Sequence, residues 1–292
     1  MSTFQPIAVS AAQTIATYSL LTPGGLAVET GQAAHRVRLA NFWRITPGSR
    51  VLEIGCGQGN CTAVLAEAVG LTGHVDAVDP GSPDYGAPFT LREAQAHISE
   101  SAVGSRVAWY NAEPLEFLKE HEDMMWEYVV FAHCIWYFAS PDLLGAMLKS
   151  LKRRVKQVLV AEYALTATEK DAQAHVLAAR ARSTLEAHNK TSEANIRSMP
   201  SPSEIKVIAE SAGWNLDAED IVVPMEDLLD GHWEVGSVKS QVFLSEINTH
   251  VRNEEVKAAL HSAREEVIRA VEAQEGRRTR TMDVWAARFT ST

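Results

Sequence analysis

The segment VLEIGCGQGNCT, at 51–62, constrains the fold of this chain more than any other part of the sequence. An apolar run typical of a buried strand precedes Gly55, Gly57 and Gly59, and a helical spacing of apolar residues follows them. Glycine has no Cβ, so glycines at alternate positions let the backbone turn tightly and approach a ligand closely. The segment therefore predicts a strand, a tight turn and a helix that together hold a nucleotide-like ligand.

Strand and helix patterns alternate through the first half of the chain, and no internal repeat interrupts them. Strands that alternate with helices pair in parallel, and the connecting helices cover both faces of the sheet. The predicted fold class is therefore α/β, a doubly wound, mostly parallel seven-stranded sheet with an antiparallel last strand and helical lid insertions. The predicted strands span 49–55, 73–81, 107–113, 128–138, 155–165, 219–223 and 281–289.

Asp79 ends the second predicted strand, where parallel topology places its carboxylate beside the glycine loop, in position to bind a ribose diol. A dinucleotide site of the G-x-G-x-x-G type is disfavoured because Asn60 occupies its third glycine position. Glu53, inside the first strand, would repel a pyrophosphate but could hold a cation. S-adenosylmethionine meets both conditions, because it carries a ribose and a positive charge and has no phosphate.

The composition excludes several classes of function. The formal net charge of −10 gives no electrostatic basis for binding nucleic acid or an anionic membrane. Three cysteines provide neither a disulfide framework nor a four-thiolate zinc site, which fits a reducing, cytoplasmic location. The N-terminal sequence lacks the features of an export signal, and no apolar stretch is long enough to cross a membrane.

Several of these motifs resemble those of class I S-adenosylmethionine-dependent methyltransferases. The resemblance lies in Glu53-x-Gly55-x-Gly57-x-Gly59, in Asp79, in the run Asn111-Ala112-Glu113 and in VVFAHCIWYF of the fourth strand. It covers 35–165 most strongly. Within that family, the chain is similar to small-molecule methyltransferases of microbial, particularly fungal, secondary metabolism.

The resemblance implies a set of residues for S-adenosylmethionine and for its product, S-adenosylhomocysteine. Gly55 and Gly57 would lie against the methionine part and the ribose, and Asp79 would accept the ribose hydroxyls. Pro80 would pack on adenine, and the amide oxygen of Asn111 would accept its amino group. The full expected set is Glu53, Gly55, Cys56, Gly57, Gly59, Asp79, Pro80, Asn111, Ala112, Glu113 and His133.

Residues at the carboxyl ends of the fourth and fifth strands are the candidates for contacting the methyl acceptor. His133 either acts as a general base or shapes the pocket by hydrogen bonding. Glu162 either binds a basic acceptor or has a structural role, in which it caps a helix or pairs with the lid, and the lone acid Asp142 gives no support for a metal site. The remaining expected substrate contacts are Tyr18, Trp136, Tyr137, Asn195 and Arg197, whereas His175 and His188 are expected at the surface.

The sequence divides into an N-terminal helical lid (1–45), a donor-binding core (46–165), a helical substrate lid (166–200) and a C-terminal part of the core with a helical insertion (201–292). Ser203 is the expected N-cap of the first helix in the last part. The predicted function is methyl transfer to an O, N or S atom of a small molecule. A nicotinamide-dependent oxidoreductase and a catalytically silent binding protein are the alternatives, and the protein is either a monomer or a homodimer.

Overall fold

The structure is a computed structural model, and it describes residues 3–189 and 196–291. Its seven strands form one sheet in the order β3-β2-β1-β4-β5-β7-β6. Strands β1 to β5 are parallel, and β7 lies antiparallel between β5 and β6. The strands are β1 (Arg50–Ile54), β2 (His74–Asp79), β3 (Val107–Asn111), β4 (Trp126–Ala132), β5 (Val155–Tyr163), β6 (Trp214–Val222) and β7 (Val284–Ser291). The doubly wound sheet and its antiparallel closing strand are confirmed.

Eleven α-helices lie in the described part of the chain. They are α1 (Ala12–Ala16), α2 (Leu26–Trp43), α3 (Asn60–Val69), α4 (Leu91–Glu100), α5 (Pro114–Glu120), α6 (Pro141–Ser150), α7 (Gln173–Glu186), α8 (Pro202–Ser211), α9 (Asp230–Lys239), α10 (Gln241–His250) and α11 (Glu254–Glu272). None of these helices is long and apolar enough to cross a membrane.

The two faces of the sheet have separate cores, because successive residues of a strand point to opposite faces. Val51 of β1 packs with Trp43 of α2 and Leu65 of α3 on one face. Leu52, the next residue, packs on the other face with a cluster that contains Phe117 of α5. Glu53 lies on the same face as Val51, and this places its carboxylate beside α3.

A third core lies outside the sheet, among α7, α9, α10 and α11. Ala178 and Leu185 of α7 pack there with Val235 of α9, Phe243 of α10 and Leu260 of α11. Helix α7 of the segment 166–200 and the helices of the later insertion therefore share one apolar cluster, although the sequence analysis assigns them to separate parts of the chain.

The N-cap predicted for α8 was wrong by two residues. Ser201 is the cap: its hydroxyl accepts the backbone amide of Glu204, and the Glu204 carboxylate accepts the amide of Ser201. Pro202 takes the first helical position, where its missing amide proton is not needed. Ser203 therefore lies inside the first turn.

Candidate active site

The three glycines of the loop between β1 and α3 have positive φ angles of 76°, 52° and 95° at Gly55, Gly57 and Gly59. A Cβ at Gly55 would lie 2.5 Å from the Cβ of Cys134, and one at Gly59 would lie 2.6 Å from Ile98. A Cβ at Gly57 would meet no heavy atom within 4 Å. Gly55 and Gly59 thus permit close packing, whereas Gly57 keeps the backbone open toward a ligand.

Asp79 lies beside this loop. Its carboxylate accepts the backbone amides of Gly57 and Gly81, both at 2.8 Å. The β1–β2 register pairs Ile54 with Val78, so the last residue of β2 reaches the first turn of the loop. The parallel topology therefore brings the glycines and the aspartate together at the carboxyl edge of the sheet, where open α/β sheets bind ligands.

Asn111 pairs with Asp79 in the β2–β3 register. Its amide nitrogen donates to the backbone carbonyls of Asp79, at 3.0 Å, and Gly81, at 2.6 Å. These bonds assign the nitrogen, so the amide oxygen is the atom able to accept from a ligand. The backbone amide of Ala112 also donates to the Asp79 carbonyl, and Pro80 and Glu113 are exposed on either side.

Glu53 is only 1% exposed. The Thr62 hydroxyl donates to its carboxylate at 2.5 Å. Burial raises the pKa of Glu53 to about 7, and hydrogen bonds from Thr62 and Cys61 oppose this shift. A cation placed beside this carboxylate would favour its ionised form.

Two cavities open at this edge. The inner cavity, of about 170 Å³, is lined by Glu53, the loop residues Gly55, Cys56 and Gly57, and side chains from neighbouring elements. The lateral cavity, of about 480 Å³, lies between the ends of β4 and β5 and the helices α7 and α9. Four residues line both: His133, Tyr137, Tyr163 and Asp230.

His133 follows β4 directly and has a positive φ of 54°. Its Nε2 lies 3.0 Å from the Nε2 of His35, and its Nδ1 lies 3.8 Å from Glu162 Oε1. Burial, above all, holds the pKa of His35 well below its usual range, so this ring is neutral. Of the two facing Nε2 atoms, one must donate and the other accept, and a His133 ring that donates its Nε2–H to His35 keeps its lone pair on Nδ1, the nitrogen that faces Glu162.

Glu162 is buried at the end of β5. Its carboxylate accepts the backbone amides of Ile135, at 3.0 Å, and Trp136, at 3.4 Å. It thereby caps the short 3₁₀ helix Ile135–Tyr137 that follows β4. Of the two alternatives the sequence left open for Glu162, helix capping is the one that these bonds favour, although the side chain also lines the lateral cavity.

Trp136 and Tyr137 lie on that short helix. The Trp136 indole is buried, donates to the Pro200 carbonyl at 3.2 Å and lies 5.2 Å from the Tyr163 ring. Tyr137 is 46% exposed. Both residues line the lateral cavity, and Tyr137 also reaches the inner one.

Two predicted substrate residues, Tyr18 and Arg197, lie outside the linings of the two cavities. The Tyr18 hydroxyl donates to Glu67 of α3 at 2.8 Å, and Tyr18 lines neither cavity; burial, followed by Glu67, raises its pKa to about 12. Arg197 is exposed, and its backbone amide donates to the Trp136 carbonyl. Asn195 lies outside the described residues.

Sequence reasoning missed four residues of this region: His35, His175, Asp230 and Glu234. His175 was expected at the surface but is only 2% exposed and lines the lateral cavity. Its Nδ1 accepts the Met282 amide, and burial lowers its pKa to about 4. No local motif marks these positions; the only signal was the polar pair Asp230 and Glu234 at helical spacing beside Trp233.

Comparisons with known proteins agree with this geometry. A family model described as a methyltransferase domain matches residues 17–219. The methyltransferase phomM' of Diaporthe leptostromiformis is 28% identical, over 81% of this chain and 72% of that protein.

Solved structures also match. A cyclopropane-fatty-acyl-phospholipid synthase-like protein from Lactobacillus casei is 31% identical, with a TM-score of 0.83 over 97% of this chain and 100% of that chain. Coclaurine N-methyltransferase, bound to N-methylheliamine and S-adenosylhomocysteine, shares the fold at 12% identity, with a TM-score of 0.51 over 100% of this chain and 83% of that chain.

Proposed function

The chain belongs to the methyltransferase domain family and is an S-adenosylmethionine-dependent enzyme, and on that premise we propose that it methylates a small molecule bound in the lateral cavity. The observation that carries this proposal is the shared wall of the two cavities. His133, Tyr137, Tyr163 and Asp230 line both, so a donor in one cavity and an acceptor in the other would meet across them.

The inner cavity and the strand ends beside it have the groups that the donor requires. Asp79 would bind the ribose hydroxyls, because its carboxylate lies beside the open backbone at Gly57. Buried Glu53 would balance the positive charge of the methionine part. Asn111 would accept the adenine amino group through its amide oxygen. The donor-binding set is Glu53, Gly55, Cys56, Gly57, Gly59, Asp79, Pro80, Asn111, Ala112, Glu113 and His133.

Bound S-adenosylmethionine supplies a methyl group that its sulfonium already activates. The protein therefore has to position the acceptor atom about 3 Å from the methyl carbon, in line with the bond that breaks. Held by the donor-binding residues, S-adenosylmethionine would supply both the methyl group and, as S-adenosylhomocysteine, the leaving group. His133, on the shared wall, is the residue placed to receive the acceptor's proton.

Helices α7 and α9, which belong to the core outside the sheet, would enclose the acceptor. His175 and Arg182 of α7, with Asp230 and Glu234 of α9, line the lateral cavity. Ser19 and Leu20, from the segment before α2, line a third cavity of about 570 Å³ that shares Trp233 with the lateral one. We therefore assign the lid function to 1–45 and 166–200, in agreement with the sequence division.

A fatty-acyl acceptor, which the name of the Lactobacillus casei structure indicates for that protein, fits this chain poorly. Acyl chains bind in long apolar channels, because burying them beside charges leaves those charges desolvated. The lateral cavity instead contains the carboxylates of Glu162, Asp230, Glu234 and Glu246. A small polar acceptor is the better match.

Transfer of a labelled methyl group to a panel of small metabolites tests the proposal. Label should appear in at least one compound, and His133→Ala should slow that transfer by a larger factor than it weakens S-adenosylhomocysteine binding, measured by calorimetry. His188→Ala, at an exposed position, is the matched control. Donor binding without transfer to any compound of a broad panel would favour a catalytically silent binding protein, and binding of NADH instead would favour the oxidoreductase alternative.

A further inference from the structure

The carboxylates of the lateral cavity are not all balanced by cations. Arg182 is paired with Glu246 at 2.7 Å and with Glu186 at 3.4 Å. Glu162 is bound by the backbone amides at the end of β4. Within residues 3–189 and 196–291, neither Asp230 nor Glu234 has a Lys, Arg or His nitrogen within 4 Å. Two carboxylates therefore face the cavity without a positive partner.

Asp230 and Glu234 lie four residues apart on α9, on one face of the helix. Asp230 accepts the Gln32 side-chain amide at 3.0 Å and lines both cavities. Oε1 of Glu234 is buried and accepts no hydrogen bond from any residue that the structure describes. Burial raises the pKa of Glu234, so this carboxyl would gain from a cation beside it.

Aromatic rings surround the same space. Tyr85, Tyr137 and Trp233 line the lateral cavity, although between 46% and 53% of each residue is exposed. Aromatic rings that line a cavity can contact a ligand bound there, and a cation is attracted to the face of such a ring. Carboxylates combined with aromatic rings are the arrangement that recognises organic ammonium groups.

His133 gives an independent indication of a ligand. It is 9% exposed and lines both cavities, and its buried Nδ1 has no hydrogen-bond partner among the described residues, since the Glu162 carboxylate lies 3.8 Å away. Such a group is costly unless a partner arrives during function. The other histidine of the cavity, His175, is neutral because burial lowers its pKa to about 4. Arg182, already paired, is therefore the one fixed positive charge among the described residues that line the cavity.

We propose that the methyl acceptor is an amine that binds in its protonated form, held by the carboxylates of Asp230 and Glu234 and by the rings of Tyr85, Tyr137 and Trp233. This inference rests on the proposed function and names its substrate class. The bound ammonium must lose one N–H proton before its nitrogen lone pair can attack the methyl carbon. His133 and Asp230, which line both cavities, are placed to receive that proton.

Binding of a fixed cation tests the proposal without any turnover. Benzyltrimethylammonium has a permanent positive charge and no lone pair, and neopentylbenzene has the same shape with carbon in place of nitrogen. Calorimetry in the presence of saturating S-adenosylhomocysteine should show the ammonium binding at least about tenfold more tightly. Glu234→Gln and Asp230→Asn should each lower the affinity for the ammonium about tenfold and leave that for neopentylbenzene unchanged.

Glu266→Gln is the matched control, because Glu266 is exposed on α11 of the same helical layer. It should leave both affinities unchanged. The amine proposal would be overturned if the two probes bound with equal affinity, or if neither cavity variant changed the affinity for the ammonium. Binding of S-adenosylhomocysteine would still support the methyltransferase assignment in that case. Failure of the wild-type protein to bind S-adenosylhomocysteine would instead count against the proposed function itself.

Discussion

The Nε2 atoms of His35 and His133 lie 3.0 Å apart, both residues are buried, and His133 lines both cavities. His35 comes from α2 and His133 follows β4, so their contact joins the N-terminal helices to the catalytic edge of the sheet. Since His35 is neutral, its Nε2 can accept the Nε2–H of His133 and fix the orientation and tautomer of that ring, which leaves the lone pair of His133 on Nδ1. His35 is thus a positioning residue for the candidate base.

Replacing His35 by Phe should lower kcat for methyl transfer about tenfold or more, because an unoriented His133 is a poorer proton acceptor. The affinity for S-adenosylhomocysteine should stay unchanged. His35→Gln, whose side-chain carbonyl oxygen can still accept the Nε2–H of His133, should restore part of kcat, and the pH profile of kcat should differ between the two variants. If both variants lost kcat equally and the pH profile of kcat did not shift, His35 would have only a packing role.

Replacing Asp79 by Ala should weaken binding of S-adenosylhomocysteine by about 1–3 kcal/mol, because the ribose hydroxyls would lose a charged acceptor. Calorimetry measures this directly. Asp84→Ala is the control: that carboxylate is exposed in the loop after β2 and pairs with Arg92 at 3.3 Å. Unchanged affinity in Asp79→Ala would show that the ribose binds elsewhere.

Replacing Gly57 by Ala should distinguish the effect of an added Cβ on donor binding from its effect on folding stability. Gly57 and Gly276 have φ angles of 52° and 84°, and a Cβ at either would meet no atom within 4 Å. Alanine at either position should therefore lower the free energy of unfolding by about 1 kcal/mol. Only Gly57→Ala should also weaken donor binding, measured by calorimetry beside thermal unfolding. A similar loss of affinity in Gly276→Ala would mean that general destabilisation is responsible.

The raised pKa of Glu53, about 7 against an ordinary 4.5, makes two pH dependences testable. Without ligand, the contribution of Glu53 to stability should be complete below pH 4.5 and be lost as the pH rises through 7. A cationic donor favours the charged carboxylate, so its binding near pH 6.5 should release a proton. Calorimetry in buffers of different ionisation enthalpy measures this release, and Glu53→Gln should abolish it while flattening the pH dependence of unfolding.

For His175 we expect the opposite dependence of stability on pH, because burial lowers its pKa to about 4. Its contribution to the free energy of unfolding should be complete above pH 6.5 and be lost, on the order of 3 kcal/mol, as the pH falls through 4. His175→Asn should flatten the fall in stability between these values, seen by urea unfolding at each pH. His188→Asn, at an exposed position, should keep the wild-type slope, and an unchanged slope in both would contradict the buried neutral state.

The donor half of the candidate site follows from local sequence. A strand, alternating glycines and a helix fix the turn at Gly57, and an acid at the next strand end falls beside it because parallel strands are in register. Each of these signals lies within a few residues of the group it places. The contact predicted for Tyr18 stays a prediction, and its hydroxyl donates to Glu67 in this structure.

The sequence by itself determined the sheet, its antiparallel closure and the meeting of Gly57 with Asp79, since strand period and parallel register are local properties. Only the tertiary structure decided the acceptor side, where His35, His133 and Asp230 come from three distant segments. Helix packing brings those segments together, and packing depends on which apolar faces meet rather than on any spacing along the chain. The charges and hydrogen bonds of these residues become strong interactions only after that packing has removed water from around them.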